Sequence, residues 1–217
     1  MLVEITNRCN YQCNFCSHSK MNSDFGDIDP EFLKRILYEA YDMGVRRIGL
    51  YTIGEMFLCK DVVLCIKNAK EAGFEYIYAD TNGALADRTN LEAVIKAGLD
   101  SIKFSINAGR RETYKNIHGL DKFETVLENL RTCYELKQYI NRDFKIMVSF
   151  VVTKENEEEI EMLHDIVKPY IDKYLVHPIS VRHNSENDIR NTLEPKMGKH
   201  LQKNTLFYGI YPITHYL

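Results

Sequence analysis

Short apolar runs alternate with helical patterns along nearly the whole chain, and few architectures satisfy that alternation. Strand-like runs cover Leu2 to Thr6, Val45 to Thr52, Phe74 to Thr81, Asp100 to Asn107, Phe144 to Thr153 and Lys173 to Ile179. The segments between them read as helices. The first has Asp29 as N-cap, Pro30 in its first turn, an apolar face of Phe32, Leu33, Ile36, Leu37 and Ala40, and Gly44 as terminator. A second pattern, Phe123 to Tyr139, spaces Val126, Leu127, Leu130, Cys133 and Leu136 helically, and Glu155 to Lys168 does the same with Ile160, Leu163 and Val167 before Pro169 stops it. Repeated strand, helix and strand units build a parallel sheet with right-handed crossovers. A closed eightfold barrel takes about 250 residues. Six units within 217 residues therefore predict an α/β fold, a partial (βα)6 TIM-like barrel over residues 1–180, followed by a weakly patterned tail at 181–217.

Composition removes several function classes. The net charge is −3 with both signs interspersed, so no basic stripe exists to neutralise nucleic-acid phosphates. No run of 18 apolar residues occurs, and Met1 opens directly onto the first strand without a signal-peptide pattern. The expectation is a cytoplasmic protein, with no nucleic-acid or membrane partner, whose six cysteines are reduced thiols rather than a disulfide framework.

In parallel α/β folds ligands bind beyond the carboxyl ends of the strands. Each conspicuous motif here falls at such an end. Cys9, Cys13 and Cys16, spaced C-x3-C-x2-C, follow the first strand; Gly54-Glu55 follows the second, Asn82-Gly83 the third, and Ser105-Ile106-Asn107 closes the fourth. Three thiolates leave one iron of a four-iron cube open to a small molecule, where four would close it. A zinc site would more often pair two C-x2-C knuckles or add histidines at short spacing, and only His18 lies near. Zinc binding or simple electron carriage stands as the alternative, in which the same cysteines do no chemistry. Period-two reading puts Ser101, Lys103, Ser105 and Asn107 on one face of the fourth strand, and Lys145, Met147, Ser149 and Thr153 on one face of the fifth. Glu4, Lys103 and Lys145 would suit an anionic or polar substrate, or pair with one another. Cys59, Cys65 and Cys133 read as small buried hydrophobes, the first two on different helical faces.

The cysteine run, with Phe15 just before Cys16, resembles the loop of the radical S-adenosylmethionine (radical SAM) superfamily. The resemblance implies an oxygen-sensitive [4Fe-4S] cluster on Cys9, Cys13 and Cys16 and S-adenosylmethionine on the open iron. One electron then cleaves the sulfonium to give a 5′-deoxyadenosyl radical. Thr52-Ile53-Gly54-Glu55 is similar to the family's glycine-glutamate motif, with Ile53 and Met56 where glycine and proline are commoner. By the same resemblance Gly54 and Glu55 contact the methionyl group, while Ser105, Asn107 and Ser149 bond the ribose or carboxylate. His177 would pass the adenine, and Asn82 would serve either substrate or turn. The stretch SINAGRRETYKNIHG, from Ser105 to Gly119, looks like that of the SPASM-associated type, with Asn107 and His118 where many relatives carry aspartate and arginine. His118 by itself reads as surface or packing. The resemblance also implies an electron donor such as flavodoxin or ferredoxin and a peptide or small-molecule substrate. SPASM relatives continue into a cysteine-rich extension. In this chain no cysteine comes after Cys133, Tyr211-Pro212-Ile213-Thr214 is only faintly similar to its entry, and the chain reads as naturally short, a fragment or an inactive truncated relative.

Overall fold

A run apolar at alternate positions must bury that side under helices, and in the computed structural model such runs become the strands of one parallel sheet. The structure describes residues 1–18, 21–22 and 24–179, so the tail from Val181, including Tyr211 to Thr214, lies outside the described residues. The five strands are β1 (Arg47–Gly49), β2 (Tyr76–Thr81), β3 (Ser101–Ser105), β4 (Lys145–Val152) and β5 (Lys173–Pro178), side by side in chain order and all parallel. Helix α1 (Pro30–Asp42) precedes β1. The crossovers are α2 (Val62–Glu71), α3 (Arg88–Ala97), the pair α4 (Arg111–His118) and α5 (Phe123–Ile140), and α6 (Ile160–Val167). This is an α/β fold, a partial TIM-like barrel.

The expected first strand is the larger of two departures in the sheet. Leu2 makes a single parallel bridge to Gly49, with Val3 N–H donating to the Gly49 carbonyl at 2.9 Å, and no ladder follows. Glu4 turns its carboxylate to the Thr52 hydroxyl and the Ile53 N–H, while Thr6 bridges antiparallel to Asp27. Five strands and an edge bridge therefore stand where six strands were expected. β1 is likewise shorter than the Val45 to Thr52 expectation.

Capping follows the sequence. The Asp29 carboxylate accepts from Phe32 N–H at 2.7 Å, and α1 buries Leu33, Leu37 and Ala40 while Phe32 stays exposed. Ile77, Ala79, Ile102, Phe104, Ile146, Val148, Phe150 and Val152 form the covered side of the sheet. The alternate residues, Tyr78, Asp80, Lys103, Ser105, Met147, Ser149 and His177, form a polar inner side.

A repeated device closes the opposite, amino-terminal rim. Asp100 accepts from Ile77 N–H (2.7 Å) and pairs with Lys70 of α2 (2.8 Å); Asp172 accepts from Ile146 N–H (2.8 Å) and pairs with Lys137 of α5 (2.6 Å). Each aspartate thus ties the strand before it to the helix that feeds that strand. Lys137 is only 9% exposed, so removing its partner strands an ammonium against the core. Asp172→Ala is expected to lower unfolding free energy by about 2 kcal/mol, discounted for the part-exposed carboxylate, as read by urea titration.

Candidate active site

The carboxyl ends of the strands gather the polar residues that the hydrophobic pattern cannot place elsewhere. Gly54 and Glu55 follow β1, and both press against the stem of the cysteine loop. A Cβ on Gly54 would lie 2.0 Å from the Thr6 carbonyl oxygen, and Glu55 N–H donates to the Arg8 carbonyl at 2.7 Å. The Glu55 side chain is buried, accepting from the Thr81 hydroxyl (2.7 Å), Asn82 N–H (2.7 Å) and Phe57 N–H (3.3 Å). Asn82, at the end of β2, in turn donates from its amide to Asn10 Oδ1 at 2.7 Å. The cysteine loop is therefore moored to two strand ends at once.

Burial pushes the Glu55 carboxyl up to about 7 against these three donors, and the nearby Asp80 carboxylate adds in the same direction. The folded chain then holds a proton that the unfolded chain has released between about pH 4.5 and 7, so stability falls as pH rises through that window. In Glu55→Gln this contribution is absent. Comparing urea midpoints of the two proteins at pH 5 and pH 7.5 should show a steeper decline in the parent, on the order of 2–3 kcal/mol.

Cys9, Cys13 and Cys16 are free and half-buried. Burial raises the Cys9 and Cys13 thiols, and the three thiols lie within electrostatic range of one another. Among the described residues no three His, Cys, Asp or Glu side chains converge on one point as a single metal ion requires. Three soft sulfurs on one short loop, within electrostatic range of one another, are a donor set that fits an iron–sulfur cube. Phe15 sits on the loop with its ring edge-on to His118, centroids 6.5 Å apart.

Ser105 and Ser149 are register partners on β3 and β4, and their hydroxyls lie 3.2 Å apart on the inner side. His177, in register with Val151 on β5, is half-buried there, its basicity lowered first by burial and then by Lys103. Asn107 has a left-handed backbone, φ 57°; its Oδ1 accepts from Val151 N–H (2.8 Å) and its carbonyl from the Asn156 amide (2.8 Å). Its side-chain oxygen is thereby tied to β4. Gly54, Glu55, Ser105, Asn107, Ser149 and His177 all sit on this rim or just below it, and the cysteine loop with Phe15 overhangs it at Glu55 and Asn82.

Several residues that organise the rim carry no motif. Lys103 pairs with Asp80 on β2 at 2.7 Å, neither with Glu4 nor with Lys145. Asn156 bonds the Asn107 and Val151 carbonyls and Thr153 N–H, and the buried Glu159 accepts from Gly109 N–H, Arg110 N–H and the Thr113 hydroxyl. His118 is 1% exposed and contacts the Cys13 sulfur. Cys59 precedes α2 instead of lying on it, so its thiol reaches that of Cys65 and is acidified by it.

Comparison with known proteins identifies the family. The model of the Radical SAM superfamily matches residues 3–167. Among curated proteins, the chain is 29% identical over 184 residues to a probable GTP 3′,8-cyclase of Saccharolobus solfataricus, covering 82% of this chain and 57% of that protein. The corresponding protein of Metallosphaera sedula is 31% identical over 186 residues, covering 82% and 56%. The chain thus spans a little over half the length of these relatives. Among solved structures, Streptococcus suis SuiB bound to S-adenosylmethionine superposes with a TM-score of 0.71 at 19% identity, over 84% of this chain and 41% of that one. SuiB bound to its precursor peptide SuiA gives 0.70 at 20% identity, over 82% and 39%. At such identity the likeness establishes the fold. With a family match over most of its length and the parallel partial barrel described above, the chain belongs to the radical SAM superfamily.

Proposed function

We propose that this chain holds a [4Fe-4S] cluster on Cys9, Cys13 and Cys16 and works as a radical SAM enzyme, abstracting hydrogen from a peptide or small molecule. The observation that carries this reading is a loop of three soft sulfurs moored to Glu55 and Asn82 at the ligand-binding end of a parallel sheet. When bound, the cluster supplies one electron at low potential to a sulfonium held on its open iron. The rest falls to the protein. The backbone at Gly54 and Glu55 faces the methionyl end, with the Glu55 carboxyl bracing the end of β2. The Ser105 and Ser149 hydroxyls offer hydrogen bonds to a ribose or carboxylate, and His177 borders the adenine. Asn107 fixes the end of β3 to β4 beside them. Phe15 shields the loop.

Among the described residues no helix is long and apolar enough to cross a membrane, which suits a cytoplasmic enzyme served by a flavodoxin or ferredoxin. After anaerobic loading with iron and sulfide, addition of dithionite and S-adenosylmethionine should release 5′-deoxyadenosine and methionine. A fully loaded protein that yields neither is an electron carrier or an inactive relative, and the proposal falls.

A further inference from the structure

The cysteine loop owes its shape to a helix that brings no ligand to it. A helix ends with carbonyls that have no partner inside it, and two of those of α4 are taken by the loop. Asn14 N–H donates to the Ile117 carbonyl at 2.9 Å and Gln12 N–H to the His118 carbonyl at 3.4 Å. These two donors flank Cys13 on either side, so the backbone of that ligand is held directly against the last turn of α4.

Side chains of the same turn reach the loop as well. The Tyr11 hydroxyl, from the loop, lies 2.8 Å from that of Tyr114, and both tyrosines are at most 2% exposed. His118 Nδ1 is 3.1 Å from Cys13 Sγ, and its Nε2 donates to the Ile106 carbonyl, an acceptor only, at 2.7 Å. Tyr114 and Tyr11 enclose the imidazole at centroid distances of 4.3 and 5.4 Å. The ring is thus fixed on three sides, and its Nδ1 faces the sulfur as an acceptor for the Cys13 thiol proton, which orients that side chain before iron takes the proton's place.

The helix itself is anchored independently of the loop. Glu159 accepts from Gly109 N–H (2.8 Å), Arg110 N–H (3.1 Å) and the Thr113 hydroxyl (2.6 Å), holding the start of α4 from the far side of β4. We propose that the last turn of α4 is a preformed template for the ligating loop, with Tyr114 and His118 as positioning residues that hold Cys13 in place for iron. Partners of this kind orient a ligand without binding the metal. The inference rests on the cluster reading above.

The test compares the full chain with His118→Phe, Tyr114→Phe and the double variant Tyr11→Phe/Tyr114→Phe, each loaded anaerobically without S-adenosylmethionine. Iron release to a chelator is timed, and the reduced parent cluster is examined by pulsed electron paramagnetic resonance after 15N labelling of the histidine rings alone, because the His18 backbone N–H also reaches a ligand sulfur, that of Cys16, at 3.4 Å. His118→Phe should lose iron on the order of 10-fold faster, and a histidine-nitrogen coupling present in the parent should vanish. Tyr114→Phe leaves the buried Tyr11 hydroxyl without a partner and should also speed release, whereas the double variant recovers much of the loss because no hydroxyl is stranded. Melting of the metal-free proteins should fall in the same order by a few degrees, and iron release faster than this loss accounts for marks positioning.

If His118→Phe does not fold, the parent's nitrogen coupling and the tyrosine pair decide the matter without it. A parent that loads iron and sulfide but shows no histidine coupling, with release unchanged across the variants, overturns the template while leaving the cluster reading intact. A parent that takes up no cluster overturns both.

Discussion

Alanine at Cys13 is expected to drop iron and sulfide uptake to background, because two remaining thiolates leave half of a four-iron cube without protein ligands. The same loss is expected for Cys9→Ala and Cys16→Ala. Metal-site binding free energy is not recovered from other side chains once a ligand is gone, so 5′-deoxyadenosine formation should fall with it. Cys133→Ala supplies the control. That thiol is fully buried on α5, away from the loop, and its removal should cost about 1 kcal/mol of packing while leaving the iron and sulfide content unchanged. Iron and acid-labile sulfide assays on the four variants, with far-ultraviolet circular dichroism to check the fold, separate ligands from core thiols.

Gly54→Ala is expected to have the second-largest effect. The added methyl would sit 2.0 Å from a backbone oxygen of Thr6, and backbone moves aside less readily than a flexible side chain. The clash acts on the pair of segments joined by the Glu55 N–H to Arg8 carbonyl bond, which is the mooring of the cysteine loop. Destabilisation of about 3 kcal/mol or more corresponds to a drop in melting temperature of roughly 6–12 °C. Glycine's need here is set by protein packing around the loop stem. A parent-like melting temperature in the variant would show that the loop stem can shift to admit the methyl.

The parallel sheet was legible because buried strands must be apolar on the side the helices cover, and runs such as Phe144 to Thr153 allow no other placement. Edge behaviour was not. Leu2 to Thr6 has the composition of a strand, yet Glu4 satisfies Thr52 and Ile53 across space and turns the chain away after one bridge. Cys59 and Cys65 are buried as expected, but their expected separation on different helical faces fails for a related reason, since angular spacing on a helix says nothing about a residue that lies just before it.

Gly54-Glu55, Asn82 and Asn107 could be placed beyond strand ends from the sequence, but their partners could not. Asp80 and Lys103 are 23 positions apart and meet through strand register. Glu159 carries no motif, and only its near-complete burial with several donors marks it. Of the two readings of His118, surface or packing, the fold selects packing, and it does so against Cys13 because α4 ends beneath the loop. Period-two alternation did foresee that Ser105 and Ser149 share the inner side, where register brings their hydroxyls together.

The open iron is what distinguishes a radical enzyme from a store of electrons, and electron paramagnetic resonance of the reduced, anaerobically loaded protein reads it directly. Adding S-adenosylmethionine should change the g-values of the reduced cluster, because the new ligand binds an iron that no cysteine holds. A spectrum unmoved by saturating S-adenosylmethionine, or a protein that takes up zinc in preference to iron and sulfide, would contradict the account.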